Sequence, residues 1–377
     1  MRSDNKNLFL IVSASLVTKV VLIVFIILML GSLSDTYDMN LYYNSTQNVL
    51  NGHFPWYENN LFNYPILSLI PMFLSYFISQ TIGGGFNTFF YSMVIFMNIC
   101  DIIICISVYY IGKKLYSART ALRAALLCAM SISVVYYTLY KFDPFPTMLL
   151  MLSILFTLYN DKTKGYVSSV IGMFVKIFPI IAYPFLWMYN LKESKTNAAT
   201  ILCIGVSIFI GLMLIGYDKF LMVTDFTYCN TLQYTISQFI GSCDFLPLLF
   251  KILTVGVITA SLYKMYISKK SPQLMIQLIF ICMIAVVFLS AYRSPQYLVW
   301  FAPLAALLIC NDKIGIISYM AFQVISFIEY PFAYGMIYDN QHYMYSSTVW
   351  FFVLYFVILG VLVWRSIINS NFSHSNV

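Results

Sequence analysis

The chain has 377 residues, 61% of them hydrophobic and 9% charged, with a mean hydropathy of +0.82 and a formal net charge of +7. A soluble domain carries about 25% charged residues. The deficit, with apolar runs long enough to cross a bilayer, excludes a water-soluble enzyme, a nucleic-acid-binding domain and a disordered protein. A rule of about 150 residues per domain does not hold where the solvent is lipid. Residues 1–377 therefore read as one multi-spanning membrane domain, all-α.

Met1 to Asn7 precede an apolar run over 8–33. That run is too long for a cleaved signal peptide and has no small-residue cleavage site, so a retained first span is expected. A span needs about 20 apolar residues. Further candidates are 88–112, 119–140, 145–160, 196–217, 245–267, 272–290, 297–310, 314–334 and 347–366, which makes about ten. Two stretches fit poorly. Residues 64–80 contain Pro65 and Pro71, and residues 165–191 contain Pro179 and Pro184. Proline removes a helix donor, and within a membrane a broken helix persists where protein or a hydrated cavity satisfies the backbone. Both stretches are expected to be half-inserted or bent helices. The tail 367–377 reads as disordered.

With the N-terminus inside and 64–80 not crossing, the 21 Lys and Arg residues sort strongly to the cytoplasmic side. Six depart from the bias. Lys19 lies within the first span. Lys141, Lys176, Lys219, Lys251 and Arg293 fall near the outer ends of helices. Outer-side bases point to an anionic partner, and the competing reading is snorkelling to lipid headgroups. Acids gather on the outer side, among them Asp35, Asp38, Asp143 and Glu329. Asp101, mid-span, has Asn98 three residues before it and reads as one of a packing pair. The eight cysteines are spread singly, without a CxxC pair. Cys229 and Cys243 share an outer loop, and bonded and free states are both open.

Residues 34–87 form the outer catalytic loop in this reading. Residues 36–51 are helix-compatible, with Gly52 as the stop. Asp35, Asp38 and Tyr42 share one face at three- and four-residue spacing. A carboxylate there suits a general base, and Asp38 is the choice. For Asp35 a helix cap is the favoured reading, with substrate contact as the alternative. His53, Trp56 and Tyr57 follow in an aromatic turn suited to stacking on a sugar, or to an interfacial belt.

An acid after the first span, Tyr42-Tyr43, the turn Gly52-His53-Phe54-Pro55-Trp56-Tyr57 and Tyr64-Pro65 resemble the first luminal loop of GT-C superfamily glycosyltransferases. Within it the chain is similar to the polyprenyl- or dolichyl-phosphate-mannose-dependent mannosyltransferases. These include the mycobacterial phosphatidylinositol-mannoside type and the catalytic subunit of GPI mannosyltransferase I. Lys141-Phe142-Asp143-Pro144, Phe174-Val175-Lys176-Ile177-Phe178-Pro179, Arg293-Ser294-Pro295-Gln296-Tyr297 with Trp300, and Phe327-Ile328-Glu329-Tyr330-Pro331 follow in the family's order. The Gly-Asn-Ala motif of the GPI enzyme is not matched. That departure favours a prokaryotic-type relative in a cell membrane, with the endoplasmic reticulum membrane as the alternative.

The resemblance implies a transmembrane helical bundle of GT-C type that moves a hexose, mannose first, from a polyprenyl-phosphate donor to a lipid or glycan hydroxyl. The acceptor oxygen attacks opposite the leaving phosphate, so configuration inverts. A base must take the acceptor proton, a role worth about 10²–10⁴-fold, and cations must stabilise the phosphate. Asp38 suits the first role; Lys176 and Arg293 suit the second. Gln296, Tyr297 and Trp300 are candidates for sugar or phosphate contacts, or for packing at a helix start. Asp143 and Glu329 complete the substrate-binding set. The resemblance implies no cofactor and no divalent metal. Expected partners are the donor, the acceptor and membrane lipid, with no nucleic acid. The alternative is a transporter or flippase with Lys19, Asp101 and Lys176 along its path, although no internal repeat is visible between the halves.

Overall fold

The structure, a computed structural model, describes residues 2–30, 36–53, 64–191, 195–212, 232, 236, 245–289, 294–333 and 346–372. Every regular element among them is helical. In chain order they are α1 (Arg2–Leu30), α2 (Tyr37–Leu50), α3 (Leu69–Ile82), α4 (Gly85–Leu115), α5 (Ala118–Ala129), α6 (Ile132–Tyr137), α7 (Pro144–Leu158), α8 (Lys162–Val175), α9 (Tyr183–Tyr189) and α10 (Lys195–Leu212). Then come α11 (Leu246–Ile267), α12 (Pro272–Leu289), α13 (Leu298–Ile309), α14 (Lys313–Phe327) and α15 (Ser346–Phe372). Short 3₁₀ turns cover Ile66–Ser68, Phe178–Ala182 and Pro295–Tyr297.

Five of these helices hold segments long and apolar enough to cross a membrane: Asp4–Met29, Gly85–Leu115, Leu246–Ile267, Pro272–Leu289 and Trp350–Ile368. The chain is a helical membrane protein. The remaining expected spans fall on shorter or interrupted helices. The 119–140 run is two helices, α5 and α6, parted at Met130 and Ser131. Helix α7 has 15 residues, about 22 Å at 1.5 Å per residue, against a hydrocarbon core of about 30 Å.

Two expectations need correction. Pro71 does not break its stretch, because it stands in the first turn of α3. There a missing N–H costs no intrahelical bond. Helix α15 runs to Phe372, so 367–372 is helical rather than disordered. The 165–191 stretch does break as expected: α8 ends at Val175, a 3₁₀ turn carries Pro179, and Pro184 sits in the first turn of α9.

The chain forms two compact units. One comprises Lys19–Ser107 and Tyr137–Phe226. Its centre is the antiparallel hairpin of α7 and α8, against which α10 and the Phe178–Ala182 turn pack. Between apolar helices in lipid, close approach of small residues supplies the attraction. A Cβ at Gly165 would strike Thr157 Oγ1, and one at Gly172 would come within 2.6 Å of Pro179 Cβ. Ser169 Oγ donates to the Pro179 carbonyl at 2.9 Å, tying α8 to the turn that follows it. In the same unit Lys19 and Asp101 form a buried ion pair at 2.8 Å. Asp101 therefore pairs with a lysine from α1, and the Asn98 amide instead donates to Val94 O and accepts from Thr138 Oγ1.

The other unit comprises Met1–Thr18, Val108–Tyr136 and Thr227–Val377. Here α13 packs on α5, α12 and α15, and α14 on α15. Asp312 caps α14 through Gly315 N at 3.0 Å and receives Arg365 at 2.6 and 2.7 Å.

Candidate active site

Four charged side chains of the first unit come together where three segments end. Helix α2 supplies Asp38 from its first turn. The turn before α7 supplies Lys141 and Asp143, and the end of α8 supplies Lys176. Lys141 Nζ lies 2.7 Å from Asp38 Oδ2, and Lys176 Nζ lies 2.7 Å from Asp143 Oδ1.

Local folding explains the second pair. Helices α7 and α8 have 15 and 14 residues and are joined by a tight turn at Tyr159–Asp161. Asn160 takes the left-handed conformation there, with φ +67°. Near-equal arms bring the start of α7 back beside the end of α8. Asp143 holds the N-cap position of α7, yet its side chain makes no capping bond, because its carboxylate serves Lys176. Lys176 follows α8 in an extended conformation, and its N–H is satisfied by Gly172 O at 2.9 Å. An anion at a helix N-terminus and a cation at a C-terminus are each favoured by the backbone dipoles.

The two pairs differ in access. The Asp143 side chain is fully buried, whereas that of Asp38 is 16% exposed. Both Asp38 contacts fall on Oδ2: Lys141 at 2.7 Å and the Tyr42 hydroxyl at 3.4 Å. Oδ1 has no partner among the described residues. Burial, foremost, and the neighbouring Tyr64, Asp38 and Asp143 push the Tyr42 phenol well above its usual range, so it stays protonated and donates.

Aromatic rings wall the cluster. Lys176 Nζ lies 5.1 Å from the Phe142 ring centre and 5.5 Å from that of Tyr64, within cation–π range. The Tyr64 and Phe142 rings meet edge to face at 4.7 Å, and Tyr42 packs edge-on against Phe142 at 5.5 Å.

Of the residues expected at the site, Asp38, Tyr42, Asp143 and Lys176 are brought together. Lys141 and Tyr64 join them. Lys141 stands out in the sequence as an outer-side base, and Tyr64 as the start of the Tyr-Pro stretch, but neither was assigned to the site. His53 is exposed in the turn after α2. Gln296, Tyr297 and Glu329 belong to the other unit. There Gln296 is buried, Tyr297 stacks on Trp300 at 4.0 Å, and Glu329 is buried just before a kink at Tyr330, whose backbone is extended (φ −139°, ψ 121°). Asp35, Tyr57, Arg293, Lys219, Cys229 and Cys243 lie outside the described residues. Among the described residues no three His, Cys, Asp or Glu side chains cluster as metal ligands.

No known family model matches this chain. No curated protein matches it either.

Proposed function

We propose that the protein is an integral membrane glycosyltransferase. It moves a hexose, mannose first, from a polyprenyl-phosphate donor to a hydroxyl of a lipid or glycan acceptor, on the outer face of a prokaryotic cell membrane. The topology that goes with this reading has about ten crossings of GT-C type. The observation that carries it is Asp38: a partly exposed carboxylate with one open oxygen, held beside two ammonium groups and an aromatic wall.

In this reading Asp38 Oδ1 takes the acceptor proton, while Lys141 and Tyr42 on Oδ2 fix the plane of the carboxylate. The acceptor oxygen attacks C1 from the side opposite the phosphate and inverts it. Lys176, paired with the buried Asp143 at 2.7 Å, faces the charge that grows on the leaving phosphate. Tyr64 and Phe142 offer apolar faces to the sugar ring.

The test is transfer of radiolabelled mannose from polyprenyl-phosphate-mannose into lipid, in membranes carrying the wild type or Asp38→Asn. Label moved by the wild type alone supports class and base together. Equal transfer in both rejects Asp38 as the base. No transfer from this donor or from other polyprenyl-phosphate hexoses rejects the reaction.

A second reading, a transporter for a lipid-linked or small polar substrate, draws on the Lys19–Asp101 pair buried between α1 and α4. Substrate accumulating in proteoliposomes without covalent transfer, and lost in Asp101→Asn, favours it.

A further inference from the structure

We propose that the seam between α6 and α14 is a second binding site, for a neutral sugar or polyol. It is separate from the Asp38 cluster and does not rest on the glycosyl-transfer reading. The residues that form it all belong to the unit of Met1–Thr18, Val108–Tyr136 and Thr227–Val377.

Helix α14 carries a polar stripe. Tyr319, Gln323 and Ser326 follow at spacings of four and three, which puts them on one face. All three are buried, Gln323 and Ser326 with 0% exposed. That face meets α6 and the break before it. Ser131 Oγ lies 2.5 Å from the Tyr319 hydroxyl, and Ser133 Oγ donates to the Gln323 backbone carbonyl. The Tyr136 ring packs edge-on against Phe327 and Tyr330, at 5.6 and 5.8 Å, past the end of the stripe.

Three atoms of the stripe are unmatched. Among the described residues, neither the oxygen nor the nitrogen of the Gln323 carboxamide has a hydrogen-bond partner, and neither has Ser326 Oγ. Gln323 stands ten residues beyond Lys313, where α14 begins. That is about 15 Å along the axis, half of a hydrocarbon core of about 30 Å, so the amide lies at mid-depth in the topology proposed for the chain. A buried polar group without a partner carries its full desolvation penalty, and the bilayer core offers no water to relieve it. Packing alone would be better served by an apolar side chain of the same size. The carboxamide fits a ligand instead.

Its chemistry sets the class. The carboxamide presents two N–H donors and an acceptor oxygen, and Ser326 a hydroxyl that can do both. Adjacent hydroxyls on a ring or a short chain, each a donor and an acceptor, match that set. Neither group is charged, so an anion or a cation gains no ion pair from them. Entry requires α6 to part from α14, and the chain is interrupted where that must happen. Helix α6 has six residues and is parted from α5 at Met130 and Ser131, and α14 is followed by the kink at Tyr330. Broken helices at mid-depth are where membrane proteins hold polar substrates.

The experiment measures binding of tritiated methyl α-mannoside, methyl α-glucoside and glycerol to the purified full chain in a sugar-free detergent, with thermal melting alongside. The wild type is expected to bind at least one of the three. Gln323→Leu is expected to bind it about tenfold more weakly, and to melt higher than the wild type without ligand, because the orphaned amide is gone. Ser326→Ala is expected to weaken binding about threefold, and decides the matter should Gln323→Leu fail to fold. Val324→Leu, at a position 47% exposed on the same helix, is expected to bind as the wild type does. If none of the three probes binds the wild type, or if binding is unchanged in both Gln323→Leu and Ser326→Ala, the seam is not a binding site. Either result leaves the transfer of labelled mannose to be judged on its own.

Discussion

Two ion pairs in one unit use the same chemistry to different ends. Lys19 and Asp101 meet at 2.8 Å with side chains 5% and 1% exposed. Lys141 and Asp38 meet at 2.7 Å with 9% and 16% exposed, next to a second pair and an aromatic wall. The first joins two long helices, α1 and α4. The second joins the start of a short helix to a turn, and keeps a carboxylate oxygen open. Burial of a charge pair is thus no mark of function by itself. In the proposed reading, access to one of its atoms separates an anchor from a site.

The sharpest way to break this comparison is to neutralise one acid at a time. Asp38→Asn is expected to cut transfer by about 10²–10⁴-fold while the protein still folds, as read by label transfer beside thermal melting. Asp101→Leu is expected to act in the opposite sense. It strands the Lys19 charge and costs about 3–5 kcal/mol of stability, whereas Lys19→Met together with Asp101→Leu restores most of it. Transfer per folded molecule stays near wild type in the double variant. Loss of transfer in a fully folded double variant would mean that this pair is more than an anchor.

Gly172→Ala sharpens the comparison from the packing side. The new methyl meets Pro179 Cβ at 2.6 Å, and overpacking of this kind costs about 1–3 kcal/mol. Since Gly172 also accepts the Lys176 N–H, transfer is expected to fall along with the melting temperature. The smallest effect belongs to Asp161, which caps α8 through Lys164 N at 3.3 Å. The hydrogen bond from Lys164 holds its carboxyl below the usual range. The lowered value fixes the sign: its contribution is present above the unfolded carboxylate value of about 3.9 and is lost as pH falls through the folded value. Asp161→Ala is expected to lower the melting temperature slightly at neutral pH and not at strongly acid pH.

Much of this was legible in the residues. The i, i+4 spacing of Asp38 and Tyr42 gave their shared face, and α2 spans Tyr37–Leu50 against the expected 36–51. The break after Val175 followed from proline chemistry. Pro71 misled because a proline stops a helix only beyond its first turn, and the start of α3 was not visible from composition. The Asp143–Lys176 pair was within reach of arithmetic. The two residues stand 17 and 16 positions from Asn160, so a hairpin turning there must bring them together. Reading 145–160 as a full span hid that symmetry. The Asp38–Lys141 contact joins residues 103 apart with no periodic relation. It arises from how α2 lies against the turn before α7, which no local pattern encodes. The same holds for Lys19, whose partner Asp101 had been matched to its neighbour Asn98.

Lys141 and Asp143 flank a single residue, Phe142, and each serves a different partner. The segment therefore works as a spacer of fixed length. One extra residue inserted between them turns one of the two charges away from its partner and displaces the ring that lies between. Insertion scanning should find this tripeptide among the least tolerant stretches of the chain, although it lies in a turn, where insertions are usually absorbed. In any relative of this protein, the number of residues between those two charges should vary less than the identity of the residue that separates them.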